Sequence, residues 1–238
     1  MFELDKLVRQ NILSLKPYSS ARDEYKGEAS IFLDANENPF GKLNRYPDHY
    51  QLKLKQKLSG LRNTPTENIF VGNGSDEVID LLFRIFCIPA KDKVLMLTPT
   101  YGMYDVSAKI NDVEVIEVSL DKDFQLKLDD ILSKIKSEKN LKIVFICSPN
   151  NPTGNSFNSN DIEVILKSFN GIVFIDEAYI DFSQSPSFIS KINEYPNLVV
   201  SQTFSKAYGL AAARVGVAYA SQSIISLMNK VKPPYNVS

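Results

Sequence analysis

The sequence predicts an α/β fold, a sheet of strands covered by helices on both faces. Two observations carry this. From Phe70 onward, short apolar runs alternate with amphipathic segments, and the amphipathic segments repeat their apolar residues at helical spacing. Strands that alternate with helices pack as a sheet between helical layers, because each element must bury its apolar face against another.

The elements follow in order. The apolar runs are Asn68–Gly72, Lys93–Thr98, Val113–Val118, Leu141–Cys147, Ile172–Asp176, Leu198–Gln202 and Val215–Ala220. Between the first two, SDEVIDLLFRIF places Val78, Leu81, Leu82, Ile85 and Phe86 at i, i+3, i+4, i+7 and i+8, one buried helix face. Roughly the first 65 residues differ: they are polar, aromatic and turn-rich, with one helical stretch at Gln51–Leu61, and read as an arm rather than a domain. There is no internal repeat. The end, KVKPPYNVS, follows a helical pattern without a closing element and reads as cut short.

Bulk composition narrows the function classes. At 238 residues and 44% hydrophobic the chain is long enough for one sizeable core. Its 27 Lys+Arg balance 28 Asp+Glu without a basic stripe, which argues against a nucleic-acid binder. The N-terminal MFELDKLVRQNILSL carries early acids and no long apolar stretch, so neither a secretory signal nor a membrane span is expected, and the expected compartment is the cytoplasm. The two cysteines, Cys87 and Cys147, sit in apolar runs and read as buried thiols, not as a disulfide or a metal site. His49 is the only histidine and reads as a surface residue, so neither a His-based triad nor a metal centre is expected.

Ligand sites of α/β sheets gather at the carboxyl ends of strands, so the residues after each run matter most. GNGSDE, Gly72–Glu77, follows a strand and opens a helix. Ser75 and Asp76 are N-cap types, and free N–H groups at a helix start bind phosphate. A dinucleotide fingerprint needs glycine where Glu77 stands, so a single phosphate or an ordinary capped turn are the two readings left. IVFIDEAYIDF runs a strand into Asp176 and Glu177. Without a GxxxxGK[ST] loop these are not the acids of a P-loop ATPase. They are either solvated strand-end acids or include a partner for a cationic ring nitrogen. SQTFSKAYGLAAARVG offers Ser205 and Lys206 on a turn and Arg214 before the next strand, a set able to serve a phosphate and an aldehyde together. SPNNPTG reads as a loop and PTYGMY as a loop with an available aromatic face at Tyr101.

Singly these signals are weak; their order is not. GNGSDE, PTYGMY, SPNNPTG, FIDEAY and TFSKAYGLAAARVG resemble the signature series of fold-type I aminotransferases of the aspartate aminotransferase superfamily. KPYSSARDEY, LDANENPFG and NRYPD resemble the histidinol-phosphate aminotransferase family in particular. The resemblance spans essentially the whole chain. It implies a three-layer α/β/α large domain with a mostly parallel mixed sheet over residues 51–238. Residues 1–50 would then be an N-terminal arm that begins the small domain and makes a dimer contact. The implied cofactor is pyridoxal 5′-phosphate, and the implied substrates are L-histidinol phosphate with 2-oxoglutarate, giving imidazole-acetol phosphate and L-glutamate.

The resemblance also implies roles. Lys206 carries the cofactor and acts as general base, Asp176 pairs with the pyridine nitrogen, and Asn151 and Tyr179 hydrogen-bond the phenolic oxygen. Tyr101 stacks on the ring. Gly74, Ser75, Asp76, Thr203, Ser205 and Arg214 receive the phosphate. Tyr46 reaches the cofactor of a second subunit in a homodimer, and Tyr18 and Asn36 stand near the substrate. Family members continue into a small C-terminal domain whose arginines bind substrate. No arginine follows Arg214 here, so cofactor capture is expected to be intact and turnover by this stretch alone impaired. The nearest alternatives share the fold: an aromatic amino-acid aminotransferase or a threonine-phosphate decarboxylase. An inactive relic is the alternative from outside catalysis.

Overall fold

The computed structural model of the chain describes residues 2–25, 27–28, 31 and 33–237. The short helices α1 (Leu4–Leu7), α2 (Gln10–Leu13) and α3 (Ala21–Glu24) open the chain, and α4 (Leu52–Arg62) precedes the sheet. There follow β1 (Ile69–Asn73), α5 (Gly74–Phe86), β2 (Lys93–Thr98), α6 (Met103–Ile110) and β3 (Glu114–Ser119). Then come α7 (Leu128–Ser137), β4 (Leu141–Cys147), α8 (Ser159–Ser168), β5 (Ile172–Asp176), β6 (Leu198–Thr203), β7 (Val215–Ala220) and α9 (Gln222–Val231). Every expected strand is present. The boundaries shift by a residue at β1, β3 and β6, where the apolar run ends before the backbone pairing does.

The strands form one seven-stranded sheet in the order β1-β7-β6-β5-β4-β2-β3. It is mixed and mostly parallel, as expected: β7 runs antiparallel to both β1 and β6, and the other pairings are parallel. Alternation along each strand divides the core into two layers. On β5, Ile172 and Phe174 join the residues of α5, α6 and α9, while Val173 and Ile175 join those of α4, α7 and α8. Helix α5 is the most deeply seated, with Val78, Ile79, Leu81, Leu82, Phe83, Ile85 and Phe86 all buried. Each such side chain contributes about 1.5–3 kcal/mol of transfer free energy. The start of the chain joins the core, since Val8 and Ile12 pack into the α5 layer. Among the described residues no helix is long and apolar enough to cross a membrane.

Because β1 and β6 both flank the antiparallel β7, the carboxyl ends of β1, β2, β4, β5 and β6 share one edge of the sheet. The loops carrying the sequence signals converge there.

Candidate functional site

The first turn of α5 forms one end of the site. Asn73, not Ser75 or Asp76, occupies the N-cap, and its side chain makes no capping bond. Gly74 adopts φ +74°, which glycine reaches without strain, and its N–H donates to the Arg214 carbonyl at 2.8 Å. The N–H groups that follow have no carbonyl one turn back, so they remain available to an anion. The Arg214 guanidinium lies over Gly74 so closely that a Cβ there would stand 2.5 Å from Nη2. Backbone N–H groups and an exposed cation thus face the same spot, with Thr203 at the end of β6 and Ser205 on the turn after it. The Ser205 N–H donates to Thr203 Oγ1 at 3.2 Å, which sets that turn.

The end of β5 forms the floor. Strand alternation sends the two adjacent acids to opposite faces. Asp176, 2% exposed, points to the α6 side, where Tyr104 donates to Oδ2 at 2.8 Å and the Ala178 N–H to Oδ1 at 3.0 Å. Glu177 points away and is consumed by structure: its carboxylate accepts from Ser187 Oγ, Gln202 Nε2 and the Phe188 N–H. Burial pushes the carboxyls of both Asp176 and Glu177 above the usual carboxylate range. For Asp176 the hydrogen bonds from Tyr104 and Ala178 offset part of that, and Asp76 adds to it. A buried carboxylate without a full countercharge faces the cavity and calls for a cation.

The remaining walls come from three loops. After β4, the buried Asn150 ties the turn down by donating to the Pro99 carbonyl at 3.0 Å and accepting from Thr100 at 3.2 Å. Its neighbour Asn151 is thereby left facing the cavity. After β2, Tyr101 donates to Asp76 Oδ1 at 3.1 Å and meets the Tyr104 ring edge-on at 5.6 Å. Burial, with Asp76 adding to it, pushes the Tyr101 phenol up to about 12. After β6, the Lys206 ammonium stands 5.5 Å over the Tyr179 ring.

These loops enclose a cavity of about 260 Å³. Gly74, Ser75, Asp76, Tyr101, Asn151, Asp176, Tyr179, Thr203, Ser205, Lys206 and Arg214 all line it. Cys147, Ala178 and Ala211 line it too, and no motif in the sequence marks them for the site. Cys147 is buried as expected, and burial pushes its thiol up to about 12, so it is neutral and apolar in character. The larger omission is Tyr104: PTYGMY contains two tyrosines, and nothing in its spacing tells which one touches a strand-end acid. The chemistry of the walls is that of a flat ligand with a cationic ring, an anionic group at one end and an electrophile near an amine.

Tyr18, Asn36 and Tyr46 lie elsewhere. They line a separate cavity of about 550 Å³ with Glu37, Asp48 and Tyr235. Tyr46 stacks on Tyr235 at 4.5 Å. His49, expected at the surface, is buried at 8% exposure beside the Tyr50 and Tyr235 rings. The aromatic residues of NRYPD and PPYN pack on one another and cover it, a long-range contact that local polarity does not announce. Among the described residues no cluster of metal-ligating side chains occurs.

Residues 22–238 match the family of aminotransferases of class I and II. The chain is 57% identical to a histidinol-phosphate aminotransferase of Cytophaga hutchinsonii, a match covering 100% of this chain and 69% of that protein. The crystal structure of the histidinol-phosphate aminotransferase of Clostridium acetobutylicum superposes with a TM-score of 0.73 at 28% identity, covering 82% of this chain and 58% of that one. The fold is also that of the Sinorhizobium meliloti enzyme solved with pyridoxal-5′-phosphate, with a TM-score of 0.75 at 24% identity over 82% of this chain and 53% of that one. The chain therefore spans somewhat more than two thirds of the curated relative and less than that of the solved structures.

Proposed function

This chain belongs to the histidinol-phosphate aminotransferase family, and on that footing we propose that it holds pyridoxal 5′-phosphate on Lys206 and serves amino transfer between L-histidinol phosphate and 2-oxoglutarate. The products are imidazole-acetol phosphate and L-glutamate. The observation that carries the reading is the cavity in which Lys206, Asp176, Tyr179, Asn151 and the α5 N-terminus converge.

The residues fit the cofactor on their own chemistry. The Lys206 ammonium only partly offsets the burial of the Asp176 carboxylate, and a protonated pyridine nitrogen would supply a direct partner. The first turn of α5, Ser205 and Arg214 receive a phosphate. Tyr101 would offer the ring a flat face, and Asn151 and Tyr179 would donate to its phenolic oxygen. When bound, the cofactor supplies an aldehyde for amines and a protonated ring that accepts the electrons released at the substrate α-carbon. Asp176 keeps that ring protonated by favouring the ion pair inside a buried site. Lys206 would act as the general base that moves the proton of the substrate α-carbon.

Tyr46, Tyr18 and Asn36 lie apart from this cavity; we assign Tyr46 to the cofactor of a second copy in a homodimer, and Tyr18 and Asn36 to the substrate. We place residues 51–238 as the cofactor-binding domain, residues 1–50 as the arm, and the protein in the cytoplasm.

The test is a cofactor titration of the chain and of Lys206→Ala, followed by borohydride reduction and peptide mass spectrometry. A reduced adduct on Lys206 that the variant lacks supports the reading. A folded chain without a specific adduct refutes it. A panel of amino donors then separates histidinol phosphate from aromatic amino acids and threonine phosphate.

A further inference from the structure

Tyr104 is fully buried at 0% exposure and reaches two separate parts of the site. Its hydroxyl donates to Asp176 Oδ2 at 2.8 Å. Its ring meets Tyr101 edge-on, with centroids 5.6 Å apart at 86°. On the side away from the cavity it stacks on Phe145 at 4.9 Å and 19° and meets Phe174 edge-on at 6.2 Å. Phe145 and Phe174 belong to β4 and β5, so the ring is clamped against the sheet itself. Tyr104 does not line the cavity, and nothing in the proposed chemistry uses it.

We propose that Tyr104 is a positioning residue that locks Asp176 and Tyr101 into one rigid unit, so that the carboxylate and the aromatic shelf address the same ring. This rests on the cofactor reading above. A ring held between a stacking face and an edge-on carboxylate needs both at fixed relative orientation. Packing alone rarely fixes a carboxylate rotamer at the end of a strand, whereas a hydroxyl anchored to the sheet does. The hydrogen bond also favours the ionised form of a carboxylate that burial disfavours. The other titratable groups facing Asp176 are Asp76 on α5, Tyr101 after β2, Cys147 at the end of β4 and Lys206 after β6.

The experiment compares wild type, Tyr104→Phe, Asp176→Asn and the double variant. Pyridoxal phosphate affinity is read by absorption titration across pH, and the melting temperature of each cofactor-free chain is recorded. Tyr104→Phe deletes one oxygen and keeps every ring contact. It is expected to retain the Lys206 adduct and bind the cofactor roughly tenfold more weakly, as for loss of one hydrogen bond to a charged group. The acid-side pH midpoint of binding is expected to move up by about one pH unit, since the unsupported carboxylate protonates sooner. In the Asp176→Asn background the same change is expected to have no further effect. A Tyr104→Phe chain with wild-type affinity and pH midpoint, or an effect undiminished by Asp176→Asn, overturns the proposal while leaving the cofactor reading intact. A wild-type chain that fails to form the Lys206 adduct overturns both. Should Tyr104→Phe not fold, Tyr104→His decides: it retains a donor, so partial recovery of the pH midpoint supports the proposal and a binding loss insensitive to pH overturns it.

Discussion

A Cβ placed on Gly216 would stand 2.2 Å from the backbone nitrogen of Ser75 and 2.2 Å from the carbonyl carbon of Gly74. Strand β7 and the first turn of α5 therefore touch backbone to backbone, and only glycine permits it. The end of the cavity proposed to receive the phosphate is built on this contact. Gly216→Ala is expected to displace that turn and destabilise the chain by about 1–3 kcal/mol, the usual range for overpacking. Cofactor affinity should fall at least roughly tenfold with it. Thermal unfolding and cofactor titration check this; a variant with wild-type values for both would show that the turn moves freely.

Burial raises the carboxyls of both Asp176, which ends β5, and Glu177, which follows it. Asp176 accepts two hydrogen bonds and Glu177 three, so the two should behave oppositely on neutralisation. Asp176 is held protonated to higher pH in the folded chain than in the unfolded one. Stability from this group thus falls as pH rises through that window, and the penalty is in full force above it. Asp176→Asn is expected to raise the melting temperature of the cofactor-free chain at pH 7 by a few degrees, on the order of 1 kcal/mol, while weakening cofactor binding to a level still measurable by titration.

Glu177→Gln should do the reverse. It turns an amide donor toward Ser187, Gln202 or the Phe188 N–H, all of which donate to the native carboxylate. The expected cost is about 1–3 kcal/mol of stability. The Lys206 adduct should survive, as peptide mass spectrometry of the reduced sample would reveal.

Lys55 carries a stability cost unrelated to the site. It is 5% exposed, and burial, with Lys232 nearby, brings its ammonium down to about 8, Asp48 opposing. A depressed lysine costs most below its folded pKa, because the unfolded chain then binds the proton more tightly. Lys55→Met is expected to stabilise the chain at pH 7 by about 1–3 kcal/mol, the free energy of holding that ammonium away from water. The gap should close as pH rises from about 8 toward 10.5. Melts at pH 7 and pH 10 measure it, and a constant gap would point to packing instead of charge.

Arg214 tests the phosphate end. Its side chain is exposed, so Arg214→Ala should leave the cofactor-free melt within about 0.5 kcal/mol. Removing a charge-assisted contact to phosphate should weaken cofactor binding about 10–100-fold. Inorganic phosphate should compete with the cofactor in wild type and much less in the variant.

Much of this site is legible in the residues alone. Lys206, Ser205 and Arg214 follow a strand and precede another, and the Gly72–Glu77 turn opens a helix, so their meeting at one sheet edge follows from strand order. The choice between Asp176 and Glu177 is not legible in their own spacing and comes from resemblance. Both end the same apolar run, and the face each takes depends on which helix covers which side. His49 departs from its expected exposure for a related reason: part of its cover comes from Tyr235, far along the chain.

The order of strands and helices, the turn chemistry at each strand end and, through the motifs, the family can all be read along the chain. These are local properties, written in periodicity, glycine placement and residue type. Packing in three dimensions was needed to establish that Tyr104 rather than Tyr101 holds Asp176, that Gly216 must be bare where α5 begins, and that Tyr18, Asn36 and Tyr46 gather away from Lys206. Each of these depends on distances between segments far apart in the chain, which the two core layers set and no local pattern encodes.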